Sequence, residues 1–265
     1  MWDRERVWKP RLVALDLDGT LVGPDDTIAP VAVAAVQDAA AAGAHVVIST
    51  GRGWHNTRYH VDTLGLQHGP HVTSNGAVLV RYPPVRIDAV TTFDPRPVIE
   101  RLMHERPRAI VAVEEVGQGY LVSRPFPDGE LGEHVTVVSL ERLCSQPATR
   151  LVIRDPDASD GEFVTLAARL GMAGVSYSIG YTAWLDIAPQ GVNKATGLAA
   201  VAAGLGVDAA DVLAIGDGRN DIEMLKWAGR GVALGEAPAE VKAIADDVTG
   251  PFAEHGTAIE LRRWF

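Results

Sequence analysis

The sequence predicts an α/β protein: a parallel-sheet core interrupted by an inserted α+β domain. Three observations carry this. Short apolar runs, each followed by polar or glycine-rich residues and then a helical pattern, recur in both end blocks of the chain, the pattern of strands buried on both faces and joined by crossover helices. Between those blocks, over about residues 83–188, strand-like runs follow one another with only turns between most of them, which favours an antiparallel sheet with helices on one face. Prolines mark both crossings, Pro83 and Pro84 on entry and Pro189 on return.

In chain order, "RLVALDLD", "AHVVIST" and "HVTSN" read as the first parallel strands, with helices over Val31–Ala42 and Trp54–Leu64. The Ala-rich stretch "VAVAAVQDAAAAG" is an ordinary helix, because Gln37 and Asp38 interrupt it and Gly43 stands where a C-cap belongs. The middle block supplies "RIDAVTTF", "AIVAVEEV", "GYLVSR", "VTVVSL", "RLVIRD", "VSYSIG" and "AWLDIA" as strands, with helices over Pro97–Glu105 and Gly161–Leu170. The core resumes with a helix over Lys194–Leu205, the strand "DVLAIGD", a helix over Asp221–Ala228, the strand "GVAL" and a helix over Ala237–Ala245. Residues 1–82 and 189–265 thus form the core and 83–188 the insert, without internal repeats or a disordered linker.

Composition sets the outer bounds. A chain of 265 residues with 47% hydrophobic content can bury a substantial core unaided. The balance of 24 Lys and Arg against 34 Asp and Glu, a formal charge of -10, argues against a nucleic-acid surface. An anionic substrate must therefore be held by a few local donors. Cys144 is the single cysteine, which excludes an intrachain disulfide and a cysteine metal cage. The N-terminal "MWDRERVWKPR" has no apolar h-region and no run reaches about 18 apolar residues, so a soluble cytoplasmic protein, monomer or homodimer, is expected without a membrane partner.

Four predicted strands end in polar residues: Asp16 and Asp18, Ser49 and Thr50, Ser74 and Asn75, and Asp217. Ligands of open α/β sheets bind outside the carboxyl ends of the strands, so these groups meet in one crevice if the topology is right. The spacing of Asp16 and Asp18 puts both on one side of an extended segment, and two adjacent carboxylates repel unless a cation or proton intervenes. An Asx-type turn closing the strand explains the same pair more simply. In "GDGRND" Asp217 ends a strand and Asp221 falls about one turn into the next helix; Asp16 and Asp217 suit a hard cation such as Mg²⁺. "STGR" offers a hydroxyl, a glycine for close backbone approach in Gly51, and a guanidinium in Arg52 just before a helix start, all suited to phosphate. Lys194 also stands near a helix start, where the dipole disfavours a cation unless something negative is close.

These pieces together resemble the haloacid dehalogenase-like hydrolases, specifically the Cof-type phosphatases. The match runs through "DLDGTL" from Asp16, "STGR" from Ser49, "TSNGA" from Thr73, "DIAPQGVNKATGL" from Asp186, "GDGRNDIEML" from Gly216 and "GVALGEAPAEVKAIAD" from Gly231, in the family's order. The resemblance implies a Rossmann-like core with a large cap inserted between the second and third motifs, and Mg²⁺-dependent hydrolysis of a small phosphorylated metabolite such as a sugar phosphate. By the same resemblance Asp16 attacks phosphorus, and Asp18 protonates the leaving alcohol and then deprotonates water. Thr50 and Lys194 bind the phosphoryl group, with Gly51, Arg52, Asn75 and Asn220 around the substrate. Mg²⁺ is held by Asp16, Asp217 and the backbone carbonyl of Asp18, with Asp221 as ligand or support. Arg52, Trp54, His55, Tyr181 and Trp184 are candidates for leaving-group contacts. Glu236 departs from the asparagine common at its position, as a structural substitution or one that tunes the leaving group.

Two other readings stay open. A phosphomutase returns the phosphoryl group to sugar, and the motifs do not separate it from a phosphatase. A non-catalytic metabolite-binding module keeps the fold but has no need of the second aspartate. A dinucleotide-binding oxidoreductase is disfavoured, since no G-x-G-x-x-G follows the first strand.

Overall fold

The structure, a computed structural model, describes residues 8–66, 68–126, 131–132, 134–155, 175–179 and 184–265. The chain opens with β1 (Leu12–Leu15), α1 (Pro30–Ala41), β2 (His45–Ile48) and α2 (Trp54–Leu64), then forms a sheet from β3 (Gly69–Thr73), β4 (Val78–Tyr82) and β5 (Arg86–Val90). The middle block adds α3 (Arg96–Glu105), β6 (Ile110–Glu115), β7 (Gly119–Val122), β8 (Val135–Val137), α4 (Leu140–Leu143), β9 (Leu151–Arg154), β10 (Val175–Ile179) and β11 (Trp184–Pro189). The chain returns through α5 (Lys194–Leu205), β12 (Val212–Gly216), α6 (Ile222–Trp227), β13 (Arg230–Ala233), α7 (Ala239–Lys242), β14 (Asp247–Val248) and α8 (Gly256–Leu261).

The central sheet is parallel, in the order β14-β13-β12-β1-β2. Its middle strands are buried on both faces and show it residue by residue. Val13 and Leu15 of β1 join one apolar cluster with Leu213 and Ile215 of β12, while Leu12 and Ala14 join a second with Val212 and Ala214. Side chains of a strand alternate between faces, so each apolar residue of "LVAL" and "VLAI" has a core to enter. Helices α2 and α5 begin and end where the sequence predicts. For α5 the cause is visible: Asn193 caps Thr196 N–H at 3.0 Å, Thr196 returns the bond, and Gly206 closes the helix in the left-handed conformation.

The strand "HVTSN" departs from expectation. It touches the parallel sheet through a bridge between Ser49 and Val72 and otherwise pairs antiparallel with β4, which in turn pairs with β5. Periodicity is the same for either pairing, and the tight turn after Thr73 decides it. His71 secures the seam: its Nδ1 accepts the Ile48 N–H of β2 at 3.2 Å, doing what a neighbouring strand's carbonyl would otherwise do. Its ring is fully buried, stacked on Trp54, and burial pushes its pKa down to about 4.

The middle block forms a mixed six-stranded sheet, β10-β11-β9-β6-β7-β8, antiparallel except for the β7–β8 pair. It has its own core, in which Ile99 and Leu102 of α3 pack on Val111, Leu151, Leu185 and Ile187. The predicted helix over Gly161–Leu170 lies outside the described residues. No helix among the described residues is long and apolar enough to cross a membrane.

Candidate active site

The polar ends of β1 and β12 meet over the N-terminus of α5. Lys194, the first residue of that helix, is wholly buried and donates to Asp16 at 2.6 Å and to Asp221 at 2.5 Å. A cation at the positive end of a helix dipole is unfavourable alone, and these two carboxylates supply the compensation. Burial alone would lower the Lys194 pKa, but Asp16 and Asp221 outweigh it and hold the ammonium charged.

Asp217 completes a group of three acids. One carboxylate oxygen each from Asp16, Asp217 and Asp221 lies within 4.8 Å of the others. Thr20 Oγ1 donates to Asp217 at 3.0 Å. Gly19 packs so tightly against the Asp217 carboxylate that a β-carbon would overlap it, and its φ of +81° already requires glycine. Burial, with Asp221 next, pushes Asp217 up to about 7, and the same two causes raise Asp16. Three acids against one lysine leave the pocket short of positive charge. An all-oxygen donor set with surplus negative charge fits a hard divalent cation such as Mg²⁺. Asp221 is the least available of the three: one oxygen accepts from Lys194 and the other accepts the N–H groups of Asp217 and Gly218 at 3.0 and 2.8 Å. Asp16 and Asp217 are therefore the side chains that suit direct metal contact.

Asp18 points elsewhere. Its carboxylate accepts from Arg52 Nε at 3.0 and 3.1 Å and from Nη2 at 2.5 Å. Burial works upward on Asp18, but the hydrogen bonds and charge of Arg52 outweigh it, so its pKa sits below the usual carboxylate range. Arg52 also pairs with Asp26 at 2.8 Å and lies 3.0 Å from His60 Nε2. The "STGR" loop closes on itself, Thr50 Oγ1 accepting the Arg52 N–H at 3.1 Å. Gly51 faces Asn75 and Asn220 closely, and a β-carbon there would lie 3.1 Å from the Asn75 amide oxygen.

The match to known proteins follows this geometry. The family model for haloacid dehalogenase-like hydrolases matches residues 13–103 and 139–261, spanning every motif in the site. The chain belongs to the haloacid dehalogenase-like hydrolases. This hydrolase is 29% identical to the 5-amino-6-(5-phospho-D-ribitylamino)uracil phosphatase YitU of Bacillus subtilis, over 97% of this chain and 98% of that one. It is 34% identical to a phosphoglycolate phosphatase of Natronomonas pharaonis, over 89% and 90% of the two chains. Among solved structures, a phosphatase of this superfamily from Bacteroides thetaiotaomicron is similar with a TM-score of 0.83 and 25% identity, covering 100% of this chain and 98% of that one.

The hydrolase brings Asp16, Asp217, Asp221 and Lys194 into direct contact or near it, with Asp18, Thr50, Gly51, Arg52, Asn75 and Asn220 around them. Trp54 is not at the rim: it is 3% exposed and packs on His71 and Tyr82. His55 does face the middle block, edge-on to His134 at 4.0 Å between ring centres. Tyr181 and the side chain of Trp184 lie outside the described residues. Glu236 accepts the Phe252 N–H with both oxygens at 2.8 and 3.0 Å, a structural use for the unusual acid. Thr20, Asp26 and Glu114 are additions that sequence reasoning missed; Thr20 adjoins the aspartate pair and was within reach, while Asp26 and Glu114 meet the site only through long-range contacts.

Proposed function

We propose that this hydrolase is a cytoplasmic Mg²⁺-dependent phosphatase acting on a small phosphorylated metabolite of the sugar-phosphate kind, through an aspartyl-phosphate on Asp16. One observation carries the reading: a buried aspartate held by a buried lysine, beside two further acids and a hydroxyl- and guanidinium-bearing loop. The relatives named as phosphatases support the reaction class.

In this reading Lys194 fixes the Asp16 carboxylate through one oxygen and leaves the other to attack phosphorus in line. Bound by Asp16, Asp217 and the backbone carbonyl of Asp18, Mg²⁺ would offset the charge of the transferring oxygens. Asp221 orients Lys194 and, through the N–H groups of Asp217 and Gly218, the loop that carries Asp217. Thr50 and the Gly51 backbone cradle the phosphoryl oxygens. Arg52 turns from Asp18 toward substrate phosphate, and Asp18, freed, takes a proton for the leaving alcohol and later accepts one from water. The six-stranded sheet with α3 and α4 acts as the cap that excludes water and reads the leaving group, while β5 stays with β3 and β4.

Phosphate release across a panel of sugar phosphates, nucleotides, pyridoxal phosphate and flavin precursors, with and without Mg²⁺, tests this. Release that depends on Mg²⁺ and disappears in Asp16→Asn is expected. Isomerised sugar phosphate without release would make the protein a mutase, and binding without turnover a metabolite-binding module.

A further inference from the structure

The turn Ser74–Asn75–Gly76 has φ of +52°, +52° and +99°. Two successive non-glycine residues in the left-handed region are costly, and such a backbone persists only where its surroundings fix it. Those surroundings are the separate parts of the site. Ser74 N–H donates to the Arg52 carbonyl at 2.8 Å and Asn75 N–H to the Thr50 carbonyl at 3.0 Å, tying the turn to the "STGR" loop. Gly76 presses so closely on Asn193, the cap of the Lys194 helix, that a β-carbon there would overlap its carbonyl.

The side chains reach the remaining two parts. Asn75 Oδ1 accepts from Asn220 Nδ2 at 3.1 Å, next to Asp221 in the loop of Asp217. Asn75 Nδ2 donates to Asp186 at 3.4 Å, on β11 of the six-stranded sheet, and Asp186 is gripped by Arg150 at 2.6 to 2.9 Å. Ser74 Oγ donates to Glu114 of β6 at 2.6 Å, which also accepts from Thr149 at 2.8 Å. Asn75 thus has a protein partner at each end of its amide and is 9% exposed. It is placed as a bridge rather than as a substrate contact. Its bond to Asp186 is the longest link, at the edge of useful hydrogen-bond geometry, so a small displacement of the sheet makes or breaks it.

We propose that Asn75 is a positioning residue that couples the seating of the six-stranded sheet to the geometry of the Asp217–Asp221 loop. With the sheet seated, Asp186 fixes the orientation of the amide, and the amide holds Asn220. With the sheet lifted, Asn220 loses an oriented partner and the loop loosens. The inference rests on the proposed phosphatase reading for its effect on turnover.

Two variants separate the ends of the bridge. Asn75→Gly keeps the left-handed backbone and removes the amide. Asn75→Asp keeps an acceptor for Asn220 but sets a carboxylate against Asp186, disrupting the sheet end alone. Hydrogen exchange of the peptide covering 216–221 is expected to rise several-fold in both, with the melting temperature changed by only a few degrees. With p-nitrophenyl phosphate and Mg²⁺, kcat is expected to fall about 10-fold while KM stays within about 2-fold, the pattern of lost positioning. Adding Asn220→Ala to Asn75→Gly is expected to cost little beyond either single change, because both cut one link. Unchanged exchange in Asn75→Asp, or a raised KM at constant kcat, overturns the proposal. A wild-type protein that releases no phosphate from any substrate sinks the phosphatase reading instead, and the exchange experiment still decides the coupling.

Discussion

Asp217→Asn is expected to stabilise the metal-free protein at alkaline pH while abolishing its response to Mg²⁺. Asp217 has a pKa pushed up from 3.8 to about 7 by burial and by Asp221. The unfolded chain loses this proton near 3.8 and the folded chain only near 7, so the native state binds the extra proton between them. Stability from this group is complete below the unfolded value and is lost as pH rises through the folded one. At pH 8 the ionised, unneutralised carboxylate costs about 2 to 4 kcal/mol, the upper figure being the full shift and the lower allowing for partial solvent screening. Asparagine keeps an acceptor for Thr20 and carries no charge. Urea unfolding in EDTA at pH 5 and pH 8 should therefore show the Asp217→Asn substitution raising stability at pH 8 and much less at pH 5. Added Mg²⁺ should stabilise the wild type more at pH 8 and leave the variant little changed. Equal stability of the two proteins in EDTA at pH 8 would refute the claim that the acidic group is strained by missing positive charge.

Further outcomes follow from the same contacts. Lys194→Met should cost about 3 kcal/mol or more in urea unfolding at pH 7, because it strands the buried acids Asp16 and Asp221, and should abolish phosphate release. Arg52→Ala removes the partner that depresses Asp18, so carbon-detected NMR titration should find the Asp18 carboxyl titrating at higher pH than in the wild type. Gly19→Ala places a side chain at φ +81° and against Asp217, and calorimetry should register a loss of about 2 kcal/mol together with weaker Mg²⁺ binding.

Local signals carried much of the architecture. Asn193 with Thr196 announces the start of α5 and Gly206 its end, and the apolar runs of β1 and β12 were legible because both faces of a central parallel strand are buried. Pairing was harder. "HVT" alternates equally well as a parallel or an antiparallel strand, and only the left-handed turn at Ser74 turns it back on β4. The convergence of Asp16 with Asp217 was readable from strand ends, and the need of Lys194 for a negative partner from its place at a helix start. The capture of Asp18 by Arg52 and the burial of Glu114 between Ser74 and Thr149 were not. Both depend on residues 34 to 40 positions apart in the chain, and no local periodicity encodes such meetings.

His71 gives the sheet seam a chemical polarity of its own. An imidazole that must stay neutral to accept the Ile48 N–H is favoured in the fold only while protons are scarce. Its pKa of about 4 against an ordinary 6.5 means that acid withdraws about 3 kcal/mol of stability as pH falls through that window, the opposite slope to Asp217. Between about pH 4 and 6.5 these two slopes oppose each other and nearly cancel, while the raised Asp16 adds to the Asp217 side. A divalent cation in the acidic pocket relieves the Asp16 and Asp217 side and leaves the His71 slope, so the bound protein should tilt toward greater stability at neutral pH. The seam and the pocket together would then act as a proton balance in which metal loading sets the tilt.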